Sequence, residues 1–378
     1  MQIQCVDNEG DFLSLRNEWG ALWRRSPNPS YFLSHDWFRC CWQELQSTNS
    51  MRIFVVRNGT EPVLIAPCMR SRTIQTKLPV NLLSFIEHPE TQVADLVCMS
   101  TPEAEGGFLT LIRYLLRELS SDWDLLAFNK IPSGSPLARW LERIQDSSKT
   151  RCQLRAGHQA LVIPLGGSWE QYLRTRSARF RKTLRNIVNR IQRMGSVEVK
   201  CYRAKDIAGD AIRKLFSVSD ASWKVSNGVA ITSSERRKRF FEDLFRDPVT
   251  AEGVRLWILE VNGDAIASET QVADGQTVYA LRSDYDERHA DSSPGVYLQM
   301  EILKELFGSS YQEYNFGVGL NPYKARWADQ HVQLMNFRLY NETFYARLLQ
   351  SMDQYKFSKI SQFPGLRVLN GLFAGKSL

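Results

Sequence analysis

Ser293-Pro294-Gly295 is a helix start with chemistry in reach. Serine suits the cap, proline the first helical position, and glycine leaves the backbone bare. Exposed amides and the positive end of the helix dipole make such a start a seat for a phosphate, and the same tripeptide serves equally to cap a core helix. A second anion-seeking stretch runs from Gln171 to Ser196. It holds eight basic residues (Arg174, Arg176, Arg179, Arg181, Lys182, Arg185, Arg190 and Arg193) and no acidic one. Like charges so crowded repel one another unless something anionic answers them. Cofactor phosphates, a tRNA backbone and anionic lipid all fit that face, and so does plain solvation.

The elements that must position these residues follow from hydrophobic spacing. Val278 to Arg282 reads as a strand that breaks up in the polar segment 283–293. Val296, Met300, Leu303 and Phe307 then recur at helical steps, and Gly308 closes the helix. Tyr314 to Phe316 reads as the next strand, ended by Gly317 and Gly319, and Asn321-Pro322-Tyr323-Lys324 starts a short helical turn. In the basic stretch Tyr172, Phe180, Leu184, Ile187, Val188 and Ile191 form an apolar stripe, which predicts one helix docked on a core with a positive outer face.

Earlier in the chain, Trp19, Trp23, Trp37 and Trp42 flank Pro27-Asn28-Pro29, the pattern of two amphipathic helices around a turn. Asn58-Gly59 lies between the apolar runs 52–57 and 62–69, and Asn262-Gly263 between 255–261 and 265–272. Each is a tight-turn signal for a hairpin. Strand–helix–strand–helix follows in both halves, so the order of elements indicates duplication. The junction falls in the polar residues between Ser147 and Gly157. That gives a first domain over 1–150, a second over 151–345, and a helical tail over 346–378. The tail carries Phe357, Ile360, Phe363, Leu366, Leu369, Leu372 and Phe373. Packing back on the body and lying along a membrane surface both fit it.

With 378 residues, 43% of them hydrophobic, the chain can bury two cores. Its first residues lack a basic segment followed by an apolar one, and no run is long enough for a membrane span. Seven cysteines form no CxxC and no framework, which fits reduced thiols in cytosol. Five scattered histidines never stand at metal-ligand spacing, so no metal is expected. The net charge of +7 favours anionic partners without choosing among them.

Several patterns, taken in order, resemble the CelD/BcsL family of GNAT-like acyltransferases, named for an association with cellulose biosynthesis. They are Trp19-x-x-Leu22, Tyr31-Phe32-Leu33-Ser34-x-x-Trp37 and Cys41-Trp42; then Ser177-x-x-Phe180-Arg181-x-x-Leu184-Arg185 followed by Gly195. Next come Trp223-x-x-x-x-Gly228, Asn262-Gly263-x-x-Ile266-Ala267, Tyr285-Asp286, Ser293-Pro294-Gly295, Phe316-Gly317-x-Gly319 and Tyr323-Lys324-x-x-Trp327. The chain is also distantly similar to FemAB-type peptidyl transferases, which use two GNAT-like domains.

The resemblance implies an α/β fold of tandem GNAT-like domains, each a mixed twisted sheet flanked by helices. The second domain would be catalytic and the first a degenerate copy. It implies acyl transfer from acyl-CoA to the amine of a small molecule or amino sugar, in the cytoplasm or at the inner face of the membrane. Pantetheine would lie in a splay between the strands at 278–282 and 313–316. Arg282, Ser293, Pro294, Gly295, Val296 and Tyr297 would hold the cofactor. Only one glycine of the usual GNAT loop, Gly295, is kept, and no Arg flanks it in register, which leaves a non-CoA donor open.

An amine must lose a proton on attack, the tetrahedral intermediate needs a donor, and the departing thiolate gains from an acid. Tyr323 is the candidate acid and Lys324 an anion ligand beside it. Glu269, on the return strand of the second hairpin, is the candidate base, with Asp284 and Asp286 as rivals. Trp223, Arg181 and Arg185 are candidates for the acceptor site. Two alternatives stand beside this reading: aminoacyl-tRNA-dependent transfer in the FemAB manner, served by the basic helix, and a non-catalytic accessory role in polysaccharide export.

Overall fold

The computed structural model describes the chain except residues 28, 148–150, 204–205, 207–208, 247–252 and 363–378, and describes 147 and 356–362 as backbone alone. Two compact units result: Met1–Gln159 with the described residues from Gln333 onward, and Ala160–Val332.

The first unit begins with β1 (Gln2–Val6), α1 (Glu9–Ser14), α2 (Arg16–Arg25) and α3 (His35–Leu45). Trp19 and Trp37 are fully buried here, and the Trp19 indole donates to the Leu33 carbonyl at 2.9 Å. Asn28 of the expected Pro-Asn-Pro turn lies outside the described residues. Then come β2 (Asn49–Asn58), β3 (Glu61–Gln75), β4 (Leu78–Phe85), the short β5 (Val97–Cys98), α4 (Pro102–Arg117), β6 (Leu125–Pro132) and α5 (Pro136–Ser147). The sheet runs β1-β2-β3-β4-β6, antiparallel except for β4 with β6.

The second unit follows the same plan. Its elements are the part of β7 (Cys152–Pro164) from Ala160 on, α6 (Trp169–Thr175), α7 (Ala178–Gln192), β8 (Val197–Arg203), α8 (Asp210–Asp220), α9 (Glu235–Arg246), β9 (Val254–Val261), β10 (Asp264–Asp274), β11 (Thr277–Tyr285), α10 (Pro294–Phe307), β12 (Glu313–Val318) and α11 (Lys324–Trp327). The order β8-β9-β10-β11-β12-β7 has one parallel pair, β11 with β12, bridged by α10. Asn262 and Gly263 both take positive φ, 53° and 89°, as a tight β9–β10 turn demands. Strand β13 (Gln330–Tyr340) then returns to close the first sheet against β6, and α12 (Phe344–Gln362) follows it. Of the tail residues named above, Phe357 and Ile360 lie where only backbone is described, and Phe363, Leu366, Leu369, Leu372 and Phe373 lie outside the described residues. No described helix is long and apolar enough to cross a membrane.

In the second unit Leu184, Ile187 and Ile191 of α7 pack with Ile302 and Leu303 of α10 and with Trp257 of the sheet. Full burial of such side chains contributes roughly 1.5–3 kcal/mol each. The basic stretch is two helices rather than the one expected. Arg176 is extended, and the Ser177 hydroxyl accepts from the Phe180 amide to cap a new helix. Strand β11 also outruns its expected end and keeps pairing with β10 as far as Tyr285. It does so because the charge on Asp284 is neutralised within the fold, as described next.

Candidate active site

β11 and β12 pair over only three residues each, Thr277 to Tyr279 against Glu313 to Asn315. Beyond them the strands part, β11 carrying on to Tyr285 along β10 and β12 to Val318 along β7. Successive strand residues point to opposite faces, so Ser283 and Tyr285 share one face of β11 and Arg282 and Asp284 the other. Across the β10 ladder Ser283 stands opposite Glu269, and Asp284 opposite Ser268.

Glu269 is buried and takes three hydrogen bonds. Gln271 Nε2 donates to its Oε1 at 2.6 Å, the Tyr314 hydroxyl to the same oxygen at 2.7 Å, and Ser283 Oγ to Oε2 at 2.8 Å. Behind them the Trp257 indole donates to Gln271 Oε1 at 3.0 Å. Tyr314 also lies 3.2 Å from the Gln299 side-chain amide. The group it faces there is the Gln299 Oε1 acceptor, so the Tyr314 hydroxyl is shared between two side-chain oxygens, with the shorter contact to the carboxylate. Burial pushes the Glu269 carboxyl above its ordinary value; the donors and the charge on Lys324 pull it back only in part. A carboxyl so placed is a better base than a solvated one.

Asp284, the rival base, is differently placed. Burial alone would raise its carboxyl, but Lys224 Nζ at 2.5 Å and Arg282 Nε at 2.7 Å outweigh that and hold it below the usual range. Arg282 also donates to the Val229 carbonyl at 2.9 Å. This triad faces away from Glu269 and ties the loop bearing Trp223 to the strand end, where Lys224 also reaches the Ser283 carbonyl at 2.8 Å. Trp223 is 45% exposed on that loop. Asp286 pairs with Arg288 at 2.6 Å.

Past β12, Lys324 Nζ lies 3.2 Å from the carbonyls of both Gly317 and Val318. Tyr323 is half-buried, with its hydroxyl hydrogen-bonded to the Trp327 side chain; desolvation, then the nearby Glu269 charge, keep it protonated. At the start of α10, Ser293 adopts a left-handed conformation (φ 59°) and makes no side-chain cap, contrary to the expectation for this serine. The Val296 and Tyr297 amides turn back to the Ser293 carbonyl at 3.1 and 3.2 Å, so the first amide facing outward is that of Gly295. Pro294 is buried, Tyr297 belongs to the core and Val296 packs at its margin. A Cβ on Gly295 would sit 3.6 Å from the Tyr285 ring. Gly295, Tyr285, Ser283 and Glu269 thus form one continuous path.

The basic residues divide. Arg181 donates to the carbonyls of Arg174 and Arg176 at the end of α6, at 3.3 and 2.5 Å, and so serves to cap that helix. Arg185 is exposed and makes no polar contact, as are Arg179 and Lys182 on the same face. Alternation along β10 puts Gln271 on the face of Glu269 from the sequence alone, whereas nothing in the sequence singles out Tyr314, Gln299, Ser283 or Lys224 for the site. Counting back from the β10–β11 turn sets Arg282 opposite Glu269, and the irregularity between Thr270 and Gln271 shifts the register by one to bring Ser283 there instead.

The first unit has the same parallel pair, but its own chain fills the gap. Phe85 and Phe128 stack at 4.0 Å where the strands part. Lys130, at φ 55°, sends Nζ to the Thr91 carbonyl at 2.7 Å and to Glu87 at 2.8 Å, and its carbonyl accepts from Ala94 at 3.1 Å. Glu103 and Glu105 occupy the first turn of α4, where they would repel a phosphate.

A family model described as an acetyltransferase (GNAT) domain matches residues 178–325, which holds the open pair and α10 and ends within α11. Comparison with curated proteins gave no match. Among solved structures the chain is similar to FemX, at 9% identity over 93% of this chain and 100% of that one, TM-score 0.58. L-PGS from Bacillus licheniformis is similar at 11% identity over 91% and 96%, TM-score 0.54. A protein of unknown function from Bacteroides thetaiotaomicron VPI-5482 is similar at 12% over 90% and 100%, TM-score 0.52. At such identities the likeness is one of fold. The fold is α/β, with GNAT-like units of mixed sheet flanked by helices.

Proposed function

We propose that the second unit transfers an acyl group from acyl-CoA to an amine, with the open β11–β12 pair as the cofactor cleft. The observation that carries this is the buried Glu269, held by three donors on the same strand face that leads to the α10 start. The pyrophosphate would meet the Gly295 amide and pantetheine would follow β11, whose amides beyond Tyr279 no longer pair with β12. One of them is placed to meet the developing oxyanion. Glu269 takes the proton from the amine, and Tyr323, still protonated, returns one to the thiolate. The exposed Trp223 offers a flat apolar wall for an acceptor such as an amino sugar, the acceptor class that fits the CelD/BcsL resemblance and an envelope role.

A second reading has a specific observation behind it. Arg179, Lys182 and Arg185 stand unpaired on one face of α7, and no acidic residue occurs from 171 to 196. That face suits the phosphates of a tRNA, and with it an aminoacyl donor. Its affinity would fall steeply with salt.

Thermal-shift titration with acetyl-CoA and longer acyl-CoAs, on the wild type and on Gly295→Trp, tests the first reading. A ligand at a hundred times its Kd stabilises by about 2.7 kcal/mol. We expect a rise in Tm for the wild type that the variant lacks. No shift for either protein with any acyl-CoA would turn the choice to the tRNA donor.

A further inference from the structure

Glu269 is 2% exposed, so an acceptor in the cleft does not touch it. Its Oε1 is fully engaged by Gln271 and Tyr314, both of them buried. Its Oε2 is met by Ser283 Oγ, and Ser283 is an exposed residue at the part of β11 that has left β12. Among the described residues bonded to this carboxylate, Ser283 is the one that reaches solvent. We propose that Ser283 is a catalytic residue that relays the proton of the acceptor amine to Glu269.

This rests on acyl transfer with Glu269 as the base. The neutral amine attacks the thioester carbonyl, forming the N–C bond, and its nitrogen gains positive charge. As the intermediate forms, that nitrogen gives its proton to Ser283 Oγ, while Ser283 passes its own hydroxyl proton to Glu269 Oε2. The C–S bond then breaks, and the thiolate leaves with the electron pair and takes a proton from the Tyr323 hydroxyl. Glu269 ends protonated and Tyr323 deprotonated, and one proton exchanged through solvent restores both. A hydroxyl is suited to the middle position because it accepts and donates at once. Serine is also short enough to hold its oxygen at the strand surface, where a longer side chain would swing away.

The test is thiol release from acetyl-CoA, with glucosamine and hydroxylamine as acceptors, by wild type, Ser283→Ala, Ser283→Thr, Glu269→Gln and the Ser283→Ala/Glu269→Gln double variant. The relay predicts that Ser283→Ala loses about 100-fold in kcat/KM. Ser283→Thr, which keeps a hydroxyl on a β-favouring residue, recovers most of it. Two residues acting as one unit lose no more together than singly, so the double variant should match Glu269→Gln. The pH profile of Ser283→Ala should lose the acidic limb that the wild type owes to Glu269. Full activity in Ser283→Ala while Glu269→Gln is dead would overturn the relay and leave the base standing. Multiplicative losses in the double variant would overturn it too. Wild-type activity in Glu269→Gln, or no thiol release by the wild type, would remove the underlying reading and the relay with it.

Discussion

At the scale of single residues, the site turns on one carboxyl whose surroundings disagree about its charge. Burial favours the protonated form of Glu269, while three hydrogen-bond donors and Lys324 favour the ionised one. Burial prevails, so the carboxyl titrates above the ordinary glutamate value of 4.5. Only the ionised form accepts a proton, so kcat/KM should climb through an acidic limb centred above pH 4.5 and then level off. Replacing Glu269 with glutamine should cost about 10²–10⁴ in kcat/KM and abolish that limb. Steady-state rates from pH 4.5 to 9 measure both. A limb that survives the substitution unchanged would assign it to another group. Asp284 is the instructive contrast: equally buried, one position from Ser283, it is held ionised by two cations and so has little appetite for a proton.

At the scale of elements, the Lys224–Asp284–Arg282 triad decides where β11 ends and where the Trp223 loop sits. Removing one cation from a buried carboxylate typically costs 3–5 kcal/mol, because the charge left behind is uncompensated. Arg282 remains in this case, so Lys224→Met is expected to lose about 3 kcal/mol in urea unfolding and to raise KM for the acceptor more than Kd for acyl-CoA. An equal rise in both would place the loop's influence elsewhere. The triad also marks the limit of what the sequence discloses. The hairpin at Asn262-Gly263, the start and stop of α10 and the strand at 313–316 were legible because each is written locally, in turn residues and periodic apolar positions. The extent of β11 was not, because Ser283 and Asp284 look like loop residues until Lys224, sixty positions upstream, is brought to them. The break at Arg176–Ser177 was hidden for the opposite reason, since the apolar stripe continues across it in register. Glu269 was visible as a strand carboxylate; its donor Tyr314, forty-five residues on, was not.

At the scale of the whole molecule, duplication has left two parallel pairs with different fates, one open beside a buried base and one filled by its own loop. Perturbing the filled unit should therefore change stability without changing chemistry, and Asp95 offers the means. It is buried in the loop that enters the first gap, bonded to the Leu96 amide at 2.7 Å and to the Ser135 side chain. Burial lifts its carboxyl from 3.8 to about 7, against the pull of those two bonds. The folded state thus binds this proton more tightly than the unfolded one. The stability it contributes is complete below pH 3.8 and is lost as pH rises through about 7. A gap of that size is worth up to about 4 kcal/mol by pH 8.5. Asparagine keeps the acceptor oxygen and never ionises. Asp95→Asn should melt with the wild type below pH 3.8 and several degrees above it at pH 8.5, at roughly 2–4 °C per kcal/mol for a unit of this size. Its kcat at pH 7 should be unchanged. Melting curves that run parallel across that range would show that Asp95 is not protonated in the folded chain, and a fall in kcat would show that the filled unit takes part in the chemistry after all.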